Sequence, residues 1–169
     1  AYADLQNRRA RTTVPCAAGG CLHDYVPFYF APCSPMLYAI HKGNVEGYDD
    51  GQEPLVYILT KVARVIRADL TFAFTDRHAV LAVAQFYDDP SALDAVDHTL
   101  MRAKYWHSTD RHPDRRERRQ AEVLIYDEVP LDIVGAVAVI SDTVKEAVDA
   151  DLAPMESPPP VIVRSGWYF

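Results

Sequence analysis

No run of 18 or more apolar residues occurs in this chain, so nothing in it reads as a membrane-spanning helix. The start, AYADLQNRRAR, lacks the apolar stretch of a secretory signal. It also lacks an initiator Met and begins on what reads as mid-helix, so the expectation is that upstream residues are missing. Cysteine is scarce: Cys16, Cys21 and Cys33 are the only three, at spacings of five and twelve, with no CxxC pair. An odd count without a paired spacing speaks against a zinc knuckle or a disulfide framework and for reduced thiols, as in the cytoplasm. No HExxH is present, which weakens a metal-dependent nuclease built on His23, Asp24, Asp76 and His78. Positive charge is also short. The net charge is −7, which argues against a protein that coats DNA nonspecifically.

What basic charge there is comes concentrated. Arg8, Arg9, Arg11, Arg111, Arg115, Arg116, Arg118 and Arg119 are eight of the 17 Lys and Arg residues, in two short windows. An acidic body with two basic patches fits local contact with phosphates; a solvated charged loop fits equally well. The length of 169 residues and a hydrophobic fraction of 49% suit one domain with a real core.

The chain pattern is mixed. Residues 2–11 read as a helix ending, and 12–20 as a loop broken by Pro15 and the Gly19-Gly20 pair. The aromatic run 25–30 is β-prone. Ser34-Pro35 opens a short helix over 36–40, with Ser as the cap and Pro at the first helical position. A Gly/Asp-rich loop spans 42–54. Strands are expected at 55–60, 70–74, 122–126, 133–140 and 161–163. Helices are expected at 61–68, 143–152 and, most clearly, from Asp89-Pro90 to about Trp106, with Leu93, Val96 and Leu100 at helical spacing. No repeat and no second domain are evident. The fold class is α+β, with a small, mostly antiparallel sheet.

The stretch RRERRQAEVLIYDEVP, 115–130, feeds Glu122 into an apolar strand directly behind four arginines. Side chains alternate along a strand, so Gln120, Glu122, Leu124 and Tyr126 share a face if the strand extends back to Gln120. Gln120 and Glu122 then stand about 6 to 7 Å apart. A carboxylate there must be hydrogen-bonded, because desolvating its ionised form is costly. Either it is an edge residue bridged to an arginine, or it lines a cleft. The segment Phe28-Tyr29-Phe30-Ala31, Ser34 and Tyr38 has the same ambiguity. Those aromatics are core, or they clamp a flat ligand.

Four separated blocks narrow the choice: LHDYVPFYFAPCSPMLYAI (22–40), GQEPLVYIL (51–59), FTDRHAV (74–80) and RRQAEVLIY (118–126). Together, and in this order, they resemble the DarT family of DNA ADP-ribosyltransferase toxins, the toxin halves of toxin–antitoxin pairs. The resemblance runs from about Leu5 to the aromatic end. It implies an ADP-ribosyltransferase-like fold, with small, mostly antiparallel sheets around an NAD cleft and flanking helices, as a single domain over 1–169. The set is of the His-Tyr-Glu type, with Tyr29-Phe30-Ala31, Ser34 and Tyr38 in the expected order and Glu122 as its glutamate. The first-strand histidine of that set has no counterpart here. His23 follows a loop and does not take its place. Cys33 stands where relatives tend to carry Arg.

The resemblance implies cleavage of NAD+ at the nicotinamide bond and transfer of ADP-ribose to a base, thymine in many members, of single-stranded DNA. NAD+ is then a cosubstrate, and no metal is needed. Glu122 would accept a hydrogen bond from the ribose and stabilise the developing positive charge. Tyr29, Ser34, Met36 and Tyr38 would form the cofactor side. The arginine that stabilises the thymine anion is carried to Arg8, with Arg9 and Arg11 as substitutes. Gln120, Arg11, Arg77, His78, Arg115, Arg116, Arg118 and Arg119 would face the DNA, although His78 could equally be a satisfied structural histidine. A macrodomain antitoxin, a cytoplasmic location and a monomeric state are also implied. The alternative is a non-catalytic nucleic-acid-binding module with a vestigial pocket.

Overall fold

The computed structural model describes residues 2–169, with side chains from Asp4 onward. In chain order the elements are α1 (Tyr2–Arg11), β1 (Tyr25–Tyr29), α2 (Pro35–His41), β2 (Tyr57–Leu59), α3 (Val62–Arg67), β3 (Phe72–Thr75) and β4 (Phe86–Tyr87). There follow α4 (His98–Arg102), α5 (Arg115–Arg118), β5 (Glu122–Tyr126), β6 (Ala136–Val139), α6 (Asp142–Leu152) and β7 (Val161–Val163). They form two compact units. The first comprises Ala1–Pro35 and Asp69–Val129, the second Met36–Ala68 and Pro130–Phe169.

In the first unit a four-stranded antiparallel sheet runs β1-β5-β3-β4. The apolar run of 122–126 takes a central place, paired on both sides. Leu124 and Ile125, which point to opposite faces, are both fully buried. This is why the strand reads as a continuous run and not as an alternation. Leu124 packs with Val14, Leu22, Tyr25, Ala73 and Ala79, so the 12–22 segment and the turn after β3 cover one face. That turn is pinned by Asp76, whose carboxylate accepts from the Gln85 backbone N–H at 3.0 Å.

The second unit holds a three-stranded sheet, β2-β6-β7, in which β6 and β7 are parallel and linked by α6. Val137, Val139 and Val161 form its core against Val144, Val148 and Leu152, which recur every four residues along α6. Ser141 starts that helix, its hydroxyl accepting from Val144 N–H at 3.3 Å. The aromatic end is fastened internally. Tyr168 donates to Leu55 O at 2.8 Å, and the Gln52 amide bonds the Phe169 backbone in both directions.

The helix expected over 89–106 is broken. A 3-10 turn spans Pro90–Ala95, and α4 begins only after Asp97. Val96, 1% exposed, is extended, with ψ 130°, and drops into the core. Asp97 then caps α4 by accepting from Leu100 N–H at 2.9 Å. The apolar spacing was real, but the extended, buried Val96 ends the first turn and a second Asp cap starts the helix again. The strand expected over 133–140 is shortened to β6, because Leu131–Ile133 is a 3-10 turn. Among the described residues the strands form two small sheets, mostly antiparallel as expected, one with a parallel pair.

Candidate active site

Glu122 is the first residue of β5, opposite Tyr29, the last residue of β1. Its side chain is 1% exposed. Arg9 Nη1 donates to its Oε2 at 2.9 Å. The Ala79 backbone N–H donates to Oε1 at 3.2 Å, and His78 Nδ1 faces the same oxygen at 3.2 Å. His78 Nδ1 stands close to this oxygen without good hydrogen-bond direction. The backbone of Glu122 is held as well: its N–H donates to the Thr75 hydroxyl at 3.0 Å, and that hydroxyl donates to Arg77 O at 2.6 Å.

Burial alone pushes the Glu122 carboxyl up. The contact with His78 and the charges of Arg9 and His78 outweigh it and hold the group below the ordinary carboxylate range. The glutamate is therefore an ionised acceptor in a nearly water-free place. Tyr29 responds in the opposite sense. Burial, and then the neighbouring Glu122 charge, raise its phenol well above the usual value, so it stays neutral as a donor and an apolar face.

The arginine on this carboxylate is Arg9. Arg8, to which the sequence reading carried the role, is exposed, and so is Arg11. On α1, residues 5, 6 and 9 are partly buried while 4, 7, 8, 10 and 11 are exposed. Leu5 and Arg9 are one helical turn apart on the inner face, a signal that could have selected Arg9. Thr75 and Ala79 were missed, although both lie in or beside the quoted FTDRHAV block. Neither is an ionisable side chain: Thr75 acts through its hydroxyl, which bonds the Glu122 backbone and Arg77 O, and Ala79 through its backbone N–H.

Other expected positions separate. Gln120 does not share a strand face with Glu122, because β5 starts at Glu122. Gln120 sits in the turn after α5, with its amide donating to Arg116 O at 3.0 Å. Arg119 is turned inward. It is 4% exposed, with Nη1 donating to Leu100 O and Met101 O at 2.6 and 2.8 Å and Nη2 to Pro32 O at 2.7 Å. Arg118 pairs with Asp97 at 2.6 Å, and Arg115 donates to Tyr105 O at 2.8 Å. Arg77 is paired with its neighbour Asp76 at 2.9 Å. Arg116 and Arg111 are exposed. Ser34 is buried in the first unit. Met36 and Tyr38 lie on α2 in the second unit, both exposed, with Tyr38 edge-on to Phe169 at 5.1 Å. Among the described residues no three of His, Cys, Asp and Glu converge as metal ligands. The nuclease candidates are used separately: His23 on Gln6, Asp24 on Cys21 N–H, Asp76 on Arg77 and His78 on Glu122.

A fixed negative charge in a dry site suits a reaction in which positive charge develops on a sugar. With the mixed fold and its small antiparallel sheets, this places the chain among the ADP-ribosyltransferases. The match can be drawn more finely. Residues 1–169 match the family described as ssDNA thymidine ADP-ribosyltransferase, DarT, and the chain belongs to it. A DNA ADP-ribosyl transferase of Thermus sp. (strain 2.9) is 44% identical over 171 residues, covering 100% of this chain and 80% of the relative. The solved structure of Thermus sp. 2.9 DarT in complex with ADP-ribosylated ssDNA superimposes with a TM-score of 0.94 at 43% identity, over 100% of this chain and 80% of that one. The complex of the same protein with NAD+ gives a TM-score of 0.90 at 42% identity, over 96% and 81%. By family, the chain is a DNA ADP-ribosyltransferase.

Proposed function

We propose that this chain transfers ADP-ribose from NAD+ to a thymine base of single-stranded DNA, as the toxin of a toxin–antitoxin pair. The observation that carries the reading is the buried, ionised Glu122, with Arg9 and His78 on its two oxygens and Tyr29 across the sheet. NAD+ is the cosubstrate, and the reaction calls for no metal. The glycosidic bond to nicotinamide breaks, nicotinamide leaves with the bonding pair, and the thymine N3–C1′ bond forms as N3 loses its proton.

Glu122 accepts a hydrogen bond from the ribose and stabilises the positive charge as nicotinamide departs. Arg9 has a second task. Its Nη1 is spent on Glu122, but its buried Nη2 has no hydrogen-bond partner among the described residues. A donor left over beside the carboxylate suits the thymine anion, which needs a cation close to N3. Arginine keeps its proton, so it stabilises charge and does not act as the base. Tyr29 offers its face to the nicotinamide end. Ser34, Met36 and Tyr38 remain candidates for the rest of the cofactor.

The family match over the whole chain supports a single ADP-ribosyltransferase domain over 1–169. A monomer working in the cytoplasm, where NAD+ and DNA meet, restrained by a macrodomain antitoxin that removes ADP-ribose, completes the reading. Among the described residues no helix is long and apolar enough to cross a membrane.

The test is mass spectrometry of a thymine-containing single-stranded oligonucleotide after incubation with NAD+ and the protein. The product should be heavier by one ADP-ribose, and Glu122→Gln should reduce its rate of formation by roughly a hundredfold or more. Equal product from the Gln variant would remove Glu122 from the chemistry. Binding of DNA with no product would favour the non-catalytic module.

A further inference from the structure

The β1–β5 ladder ends at the pair Tyr29–Glu122. Beyond it one chain continues into the turn 30–34, and the other runs back through Ala121 and Gln120 to Arg119. Arg119 ties the two together again. Its side chain is buried, and Nη2 donates to Pro32 O at 2.7 Å. Nη1 donates to Leu100 O and Met101 O at 2.6 and 2.8 Å and reaches Ala103 O at 3.4 Å. Those carbonyls close α4, where a helix has no donors of its own left for them. One guanidinium thus joins the turn after β1, the end of α4 and the approach to β5, all within the first unit.

α4 is a firm anchor for this. Asp97 at its start accepts from Leu100 N–H and from Arg118 Nη2, so consecutive arginines hold the two ends of one short helix. The turn is strained. Cys33 has φ 53°, a left-handed backbone that a residue other than glycine holds only with outside support. Pro32 O belongs to the planar peptide that precedes Cys33, so the bond from Arg119 fixes the plane from which that φ is set. The guanidinium charge also reaches the Cys33 thiol, where it offsets part of the rise that burial causes. Ser34, the next residue, is buried.

We propose that Arg119 is a positioning residue for NAD+. It clamps the turn of Pro32, Cys33 and Ser34 at a fixed place relative to Glu122, and so it sets the affinity for NAD+ and not for DNA. This deepens the proposed function and rests on its reading of Tyr29 and Ser34 as the cofactor side. The shape of the guanidinium matters as well as its charge. Its two terminal nitrogens serve different elements, a geometry that the compact ammonium of lysine does not reproduce.

The experiment measures KM for NAD+ and KM for a thymine-containing single strand in wild type, Arg119→Gln and Arg119→Lys. Val14→Ala, a core truncation elsewhere in the same unit, is the control for lost stability. Assays run at a temperature where thermal unfolding shows each protein folded. Arg119→Gln should raise KM for NAD+ about tenfold and leave KM for DNA within about twofold of wild type. Arg119→Lys keeps a cation among the carbonyls, so it carries the test if the Gln variant does not fold. It should still raise KM for NAD+ about fivefold. A lysine variant with the KM of wild type for NAD+ would overturn the clamp. So would equal rises for NAD+ and DNA, or the same NAD+ change in Val14→Ala, since Arg119 would then only hold the fold together. NAD+ is also titrated directly by calorimetry. If wild type binds NAD+ but makes no product, the enzymatic reading fails alone, and an unchanged Kd in the lysine variant then decides against the clamp. If wild type does not bind NAD+, both fail.

Discussion

Arg9 and Glu122, 113 residues apart in the chain, meet as an ion pair with Nη1 2.9 Å from Oε2. The carboxylate side chain is 2% exposed and the guanidinium 12%. Removing one member of such a buried pair leaves the other charge without compensation, at a cost of about 3 to 5 kcal/mol. Arg9→Met should therefore lower the melting temperature markedly and also abolish DNA modification. Replacing both residues, Arg9→Met with Glu122→Leu, should recover stability but not activity. If the double variant is no more stable than Arg9→Met, the pair does not couple as described.

Thr75 is fully buried and receives the Glu122 backbone N–H at 3.0 Å. Thr75→Val keeps the shape but removes the acceptor, leaving a buried N–H unsatisfied. The expected loss is about 1 to 3 kcal/mol in urea unfolding. Activity at permissive temperature should fall too, because the start of β5 is no longer fixed. An unfolding midpoint equal to wild type would show that the hydroxyl is not needed there.

The basic window divides into internal and outward-facing arginines. Arg119→Leu should destabilise the fold and leave the salt slope of single-strand binding unchanged in protein that remains folded. Arg111→Gln and Arg116→Gln should leave stability within about 0.5 kcal/mol and each reduce the slope of log K against log salt by about 0.7. Affinity titrations between low and moderate salt decide this. A reduced slope in Arg119→Leu would place that guanidinium on the DNA after all.

The pH dependence follows from Glu122, whose folded-state carboxyl is held below its ordinary range. A depressed folded value means that its contribution to stability is complete above the unfolded value of about 4.3. It is lost as pH falls through the lower folded value. Stability of wild type relative to Glu122→Gln should thus be constant near neutrality and shrink on acidification below about pH 4.3. Denaturant titrations at several pH values check the sign. A gap that widens in acid would contradict it.

Much of the element order was legible in the sequence. The helix ending over 2–11, the aromatic run at Tyr25, the Ser34-Pro35 start and the 143–152 helix are local signals, and the structure carries an element at each. The 89–106 helix was not legible, because burial of Val96 overrides a spacing that looked continuous. The short β4 was invisible for a related reason: two residues hold no period, and only pairing with β3 makes them a strand.

Glu122 stood out in the sequence as a carboxylate at the head of an apolar run behind four arginines, a pattern that by itself left an edge residue and a cleft residue both open. Which arginine answers it was not legible, since the nearest in sequence, Arg118 and Arg119, turn to Asp97 and to backbone carbonyls. Local patterning and composition specify where strands and helices begin, because caps, turns and burial stripes act over a few residues. Partner choice among chemically identical side chains depends on which of them the fold brings within about 3 Å in a place without water. That selection, of Arg9 and His78 for Glu122, belongs to the tertiary structure.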